Sequence, residues 1–270
     1  MNFKNKVVII TGSSMGIGKA LANDFGQRGA KVVLNGRNPE RLEKRHQEMQ
    51  DSGFESIAIS GDVSKVEDCK ALINNTIKAF GKIDVLINNA GLSTEGTVED
   101  LSLEVVQKIM EVNYLGAHYL THLALPYLKK THGSILFSGS NAGTHGLPKH
   151  SVYSASKMAL TALTESLRIE LQDDEVHVGI AYIGFTENDP NKTIFGIDGK
   201  IIAQPSRSNF KTQSPQIVAS QMIKMIEKRT YKKVFTPIGK LNTFMARFAP
   251  FVIRKVVGNN FRETKKNHKK

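Results

Sequence analysis

The sequence predicts a single doubly wound α/β domain, with a mainly parallel seven-stranded sheet and helices on both faces. Three observations lead there. Short β-branched runs alternate regularly with longer amphipathic stretches. The short runs lack polar alternation, as strands covered on both sides do. A chain of 270 residues with 40% hydrophobic content is long enough to bury one substantial core.

Strands are predicted at 6–11, 31–35, 56–60, 83–88, 133–138, 177–182 and 233–236, and helices at 17–28, 40–51, 66–80, 103–129, 152–171 and 215–229. Pro39 stands at an early helix position, Ser64 and Ser214 are candidate N-caps, and Gly29, Gly53 and Gly81 lie near helix ends. The longest irregular stretch, 183–213, follows the carboxyl end of a strand and is expected to form a substrate lid. It carries Phe185, Ile194, Phe195, Ile197 and Ile201, which points to an apolar substrate.

Composition narrows the class. The lone Cys69 excludes a disulfide framework and a cysteine metal cluster, which suits a reducing, cytoplasmic setting. The histidines show no ligand-type spacing, so no metal is expected. No run has the length of a secretory signal core or a bilayer span. The net charge of +12 is confined to the C-terminus: residues 224–270 hold fourteen Lys/Arg and two acids, while the 23 basic and 23 acidic residues before them cancel.

Directly after the first strand, Thr11-Gly12-Ser13-Ser14-Met15-Gly16-Ile17-Gly18 leads into a helix. Glycines there permit a tight turn and close backbone approach, and the helix N-terminus presents free N–H groups to phosphate. Gly12, Ser14, Met15, Gly16, Ile17 and Gly18 are the candidate phosphate set, and Ser13, Ser14 or Asn38 would add hydrogen bonds to a ribose 2′-phosphate. At the end of the second strand, where a carboxylate would hold a ribose 2′-hydroxyl, the chain instead has Gly36-Arg37. A cation without a carboxylate suits a 2′-phosphate, so NADP(H) is the expected cofactor.

At Tyr153-Ser154-Ala155-Ser156-Lys157, Tyr and Lys stand four apart on one face of a predicted helix. An ammonium near a phenol favours the phenolate, which suits Tyr153 to general acid–base work. With these motifs in order, the chain resembles the short-chain dehydrogenase/reductase family from Lys4 to about Pro237: a Rossmann-type domain over 1–239, with 240–270 as an extension.

The resemblance implies further roles. Asp62 and Val63 would contact adenine, and Asn89, Ala90 and Gly91 would line the cofactor. Asn113 would anchor a water-linked proton relay, and Ser140 would hydrogen-bond the substrate oxygen. Tyr153 would exchange its proton, while Lys157 would bias Tyr153 and hold ribose. Gly184 and Thr186 would lie on the nicotinamide side, Asn188 being the alternative to Thr186. Ile183-Gly184 departs from the family's Pro-Gly and leaves that turn less constrained. A homodimer or homotetramer through 103–129 and 152–171 is also implied.

Leu241, Phe244, Met245, Phe248, Phe251 and Val252 form a helical apolar stripe flanked by cations, which Pro250 should kink or divide. Such a stripe suits peripheral contact with an anionic bilayer, or docking over the cleft or a partner subunit. Nucleic acid is not expected. The activity expected is interconversion of a carbonyl and an alcohol on an apolar or lipid-like substrate. The competing class is a non-catalytic NADPH sensor or scaffold acting through the basic tail, for which Asn113, Ser140, Tyr153 and Lys157 together would have no use.

Overall fold

The computed structural model describes residues 2–190, 192–205 and 211–267. Seven parallel strands form the sheet: β1 (Val7–Thr11), β2 (Lys31–Gly36), β3 (Ser56–Ser60), β4 (Val85–Asn88), β5 (Ser134–Ser140), β6 (His177–Ile183) and β9 (Lys232–Val234). Their spatial order is β3-β2-β1-β4-β5-β6-β9. The order reverses between β1 and β4, and ligands of open α/β sheets bind beyond the strand ends at such a switch point.

Helices α1 (Gly16–Gln27), α2 (Pro39–Asp51) and α7 (Pro215–Glu227) flank the sheet together with α3 (Val66–Phe80), α4 (Leu103–Met110), α5 (Gly116–Thr131) and α6 (Ser151–Glu170). Two apolar layers result. Leu21 and Phe25 of α1 join Val218 and Met222 of α7 in one cluster with Val8, Ile10, Val32 and Leu34. Leu72, Leu120, Leu128 and Leu160 join Val7, Ile9, Leu86 and Phe137 in the other. Successive residues of β1 thus feed opposite layers, which is why every residue of that strand is buried.

Several predicted details change. The helix expected over 103–129 is interrupted by a π-helical turn, Glu111–Leu115, between α4 and α5. Its cause is tertiary: Asn113 bonds the backbone of Leu92, and Gly116 approaches Val63 so closely that a Cβ would stand 2.7 Å from the Val63 carbonyl oxygen. Ser64 does not cap α3; its Oγ donates to Asp62 Oδ1 at 2.7 Å, and Lys65 takes the cap position. Ser214 does cap α7, accepting from Ile217 N.

The stretch 183–213 is more regular than expected. β7 (Thr193–Phe195) and β8 (Ile201–Ala203) pair as an antiparallel hairpin. Backbone bonds tie it to the loop after β4: Phe195 N donates to Ser93 O at 3.1 Å and Ser102 N to Ile197 O at 2.9 Å. Ile194 is buried and Phe195 packs against Leu101, Val105 and Val152, whereas Phe185, Ile197 and Ile201 are exposed. The parts of the expected lid at 191 and 206–210 lie outside the described residues.

At the C-terminus, Pro250 divides the helical stretch as its backbone chemistry requires, into α8 (Pro237–Phe248) and α9 (Pro250–Asn267). Thr236 caps α8, its Oγ1 accepting from Gly239 N at 3.1 Å. The stripe is not folded down over the chain's own cleft: Leu241, Phe244, Phe248 and Phe251 are exposed.

Candidate functional site

The loops after β1, β2, β4, β5 and β6 meet at one edge of the sheet. Gly12 and Gly16 adopt φ of 63° and 53°, the left-handed region that glycine enters without penalty, and this turns the chain from β1 into α1. Gly18 lies against the loop itself: a Cβ there would fall on the Gly12 carbonyl oxygen and stand 2.8 Å from Asn89 Nδ2. Thr11 joins this turn to the next, its Oγ1 accepting from Asn89 N and Ala90 N, both at 2.9 Å. Met15 precedes the helix without a side-chain cap bond, and Gly16 N donates to Asp189 Oδ2 at 3.3 Å. A carboxylate of the 183–213 stretch therefore sits on a donor of the expected phosphate set.

Ser13 differs from expectation. It is buried, and its Oγ donates to Asn35 O and accepts from Asn35 N at 3.2 and 2.9 Å, so it braces β2. Asn38 caps α2, accepting from Arg41 N at 2.7 Å. Arg37 is half exposed, with its guanidinium 4.0 Å from Asp62 Oδ2. Burial alone would raise the Asp62 carboxyl; bonds from Ser64 and the charges of Lys108 and Arg37 outweigh it and hold the group below its ordinary range. Val63 is buried beside it.

A cleft of about 440 Å³ opens beside this loop, lined by Ser14, Met15, Lys19, Asn38, Arg41 and Lys44 among others. Lys19, Arg41 and Lys44 were not singled out from sequence. Arg41 and Lys44 stand one turn apart on α2, and that spacing, joined to the nearby glycine loop, was the available signal.

Toward β5 the geometry tightens. Asn113 is buried; its Oδ1 accepts from Leu92 N at 2.7 Å, and its Nδ2 donates to Leu92 O and Ser156 Oγ, both at 3.0 Å. Lys157 is also buried, and its Nζ donates to Ser138 O at 2.9 Å while standing 5.8 Å from the centre of the Tyr153 ring. A Cβ on Gly91 would lie 3.4 Å from Asn113 Oδ1 and 3.5 Å from Lys157 Nζ, so the loop after β4, the π-helical turn and α6 converge there. Burial, aided by the charge of Lys192, pulls the Lys157 ammonium down to about 8.

Ser140 ends β5 and caps the 3₁₀ turn Asn141–Gly143, its Oγ accepting from Ala142 N at 3.2 Å. Ser138 Oγ instead donates to Asn89 Oδ1 at 3.2 Å, consistent with a supporting place for that serine. Ser140 is in register with Ile183 on β6, and Gly184 follows with its bare face under Thr236, where a Cβ would be 2.8 Å from Cγ2. Thr186 is buried and bridges to Gln213.

Among the described residues no three His, Cys, Asp or Glu side chains gather as a metal set. Cys69 is buried, with its thiol pushed up to about 12 by burial.

Comparison with known proteins agrees with the fold. The profile described as short chain dehydrogenase matches residues 6–196. An 11-beta-hydroxysteroid dehydrogenase-like 4A of Arabidopsis thaliana is 44% identical over 185 residues, which are 68% of this chain and 62% of that protein; the chain thus matches about three fifths of the plant relative's length. An uncharacterized oxidoreductase of Thermotoga maritima is 37% identical over 207 residues, 76% of this chain and 79% of that one. Among solved structures, a short chain dehydrogenase/reductase from Burkholderia phymatum in complex with NAD aligns with a TM-score of 0.81 at 25% identity, covering 92% of this chain and 94% of that one. The alcohol dehydrogenase from Thermococcus sibiricus complexed with 5-hydroxy-NADP gives 0.74 at 28% identity, covering 86% and 96%. With the sheet order, the loop constellation and these matches in agreement, the chain belongs to the short-chain dehydrogenase/reductase family.

Proposed function

We propose that this chain is an NADP(H)-dependent oxidoreductase that interconverts a carbonyl and an alcohol on an apolar or lipid-like substrate. The observation that carries the reading is the convergence of Gly91, Asn113 and Lys157 beside Tyr153, because it joins a cofactor cradle to a proton-handling group. The residues fit a dinucleotide: Gly16 has open space where its Cβ would be, and Gly91 leaves the floor between Asn113 and Lys157 bare.

In this reading Gly12, Ser14, Met15, Gly16, Ile17 and Gly18 hold the pyrophosphate, and Asp189 must withdraw from Gly16 N for its oxygens to be received. Asp62 and Val63 receive adenine, Asn89, Ala90 and Gly91 line the groove, and Gly184 and Thr186 close it. When bound, the nicotinamide supplies or accepts the hydride. Ser140 holds the substrate oxygen, Tyr153 gives up or takes its proton, Lys157 holds ribose and favours the phenolate, and Asn113 anchors the relay that restores the proton. The protein works as a homodimer or homotetramer in the cytoplasm.

The test is a screen of NADPH oxidation over ketones and aldehydes of graded chain length. Turnover that rises with chain length is expected. An inert wild type that still binds NADPH would transfer the assignment to a sensor.

Two further outcomes follow. Arg37→Ala is expected to reduce the preference for NADPH over NADH about tenfold or more, on the scale of one charge-assisted bond to phosphate. A double Arg37→Ala/Arg41→Ala variant should lower it further, since Arg41 lines the cleft beside the glycine loop together with Ser14 and Asn38. An unchanged ratio of kcat/KM values removes Arg37 as the reader.

The second outcome concerns pH. The Lys157 ammonium is depressed to about 8, so the charged form prevails below that value and is lost as pH rises through it. Reductive kcat/KM, which reports the free enzyme, is expected to fall above about pH 8. Lys192→Gln should move that limb upward by removing the second cause of the depression.

A further inference from the structure

We infer that α8 and α9 form a docking surface for an anionic lipid bilayer, which seats the mouth of the candidate site on the membrane. Ile238, Leu241, Phe244, Phe248 and Phe251 recur along α8 and the start of α9, and each is between 57% and 69% exposed. Their spacing of three or four residues places Ile238, Leu241, Phe244 and Phe248 on one face of α8, with Phe251 following on α9, and the Phe244 and Phe248 rings touch, with centroids 4.8 Å apart. An exposed apolar ridge of this length is not the ordinary scatter of surface hydrophobics.

The charge around the ridge selects the partner. No Asp or Glu occurs from Lys228 to Arg262, thirty-five consecutive residues, while Lys240, Arg247, Arg254, Lys255 and Arg262 fall on the two helices. Lys240, Arg247, Arg254 and Lys255 are exposed. A ridge of Phe and Leu ringed by cations without anions matches an interface whose outer layer is negative and whose interior is hydrocarbon. A second copy of the chain would bring the same cations against these, at an electrostatic cost the bilayer does not impose. Among the described residues no helix is long and apolar enough to cross a membrane, so the contact is interfacial.

The position of α8 gives this surface a consequence. Its first turn rests on the 3₁₀ turn that follows Ser140: a Cβ on Gly239 would stand 2.7 Å from Asn141 Nδ2. Its cap residue, Thr236, covers Gly184. The exposed ridge thus begins at the rim of the candidate site. A long-chain carbonyl compound dissolved in the bilayer would reach Ser140 and Tyr153 without crossing water. This access step rests on the proposed carbonyl chemistry; the docking itself does not.

The test is sedimentation of the full chain with vesicles of phosphatidylcholine alone and of phosphatidylcholine mixed with phosphatidylserine. It is run beside Phe244→Asp/Phe248→Asp, whose substituted side chains are exposed and leave the core untouched. Wild type is expected to pellet with the mixed vesicles about tenfold or more above the neutral ones and to be released by salt, and the double variant should lose that binding. NADPH affinity and far-ultraviolet circular dichroism should match wild type and establish that the variant is folded. Equal pelleting of wild type and variant, or no pelleting of wild type, overturns the proposal. Light scattering that finds a wild-type dimer made monomeric by the variant, without vesicle binding, assigns the ridge to a second copy instead. Since binding is read without turnover, loss of docking and loss of the carbonyl chemistry are told apart.

Discussion

Tyr153→Phe is expected to lower kcat about a hundred- to ten-thousand-fold, the usual contribution of a positioned general acid or base. NADPH affinity should remain within a few-fold of wild type. The substitution removes one hydroxyl from the first turn of α6 and keeps the ring that stands 5.8 Å from Lys157 Nζ, so packing around the ammonium is retained. Steady-state kinetics on the best substrate of the screen, with fluorescence titration of NADPH, separates the two effects. If kcat falls while KM holds, the hydroxyl acts in the transition state rather than in substrate binding. A variant with wild-type kcat would move the proton to another group and dissolve the assigned roles of Ser140 and Asn113 with it.

Most of the fold was legible because the central strands that build it are buried on both faces. Val7–Thr11 and Val85–Asn88 carry no polar interruption before their last residue, and short runs of that kind bounded by turn residues read as strands of a covered sheet. The split at Pro250 was legible for a local reason, since proline cannot continue the hydrogen-bond ladder of a helix.

Other features were hidden because their causes are tertiary. Nothing in Glu111–Leu115 distinguishes a π turn from an α turn until Asn113 finds the backbone of Leu92. β7 and β8 have three residues each, and β8 is wholly exposed; bonds from the loop after β4 hold the hairpin, and no periodicity of its own announces it. In the site, the order of motifs placed the loops correctly along the sheet edge. It gave no hint that Ser13 faces inward to Asn35, that Arg41 and Lys44 face the cleft, or that Asp189 reaches the glycine loop. Side-chain direction at a loop depends on neighbours distant in sequence.

Gly18→Ala is expected to destabilise the protein and weaken NADPH binding together, because the glycine loop is locked at the point where the methyl group would enter. The new Cβ would fall on the Gly12 carbonyl oxygen and stand 2.8 Å from Asn89 Nδ2, and neither neighbour is free to yield. Gly12 is fixed by its φ of 63° between β1 and the turn. Asn89 Nδ2 is committed to Thr11 O at 2.9 Å and Gly12 O at 3.3 Å. Overpacking against backbone costs about 1–3 kcal/mol, and each kcal/mol lowers Tm by about 2–4 °C in a domain of this size. Relief requires α1 to move away from β1, which carries the Gly16 N–H and its neighbours off their positions, so NADPH affinity should drop about tenfold or more. Gly16→Ala is the matched control. A Cβ there meets no protein atom within 4 Å, so its cost to stability is confined to a φ of 53°, about 1–2 kcal/mol for an L-residue, although the methyl group enters the space proposed for the dinucleotide. Thermal unfolding of both variants without ligand, followed by NADPH titration, separates crowding from backbone strain. Crowding at Gly18 predicts the larger fall in Tm there, and equal falls in the two variants would mean that the strain of the turn alone, not the packing of α1 on it, sets the cost.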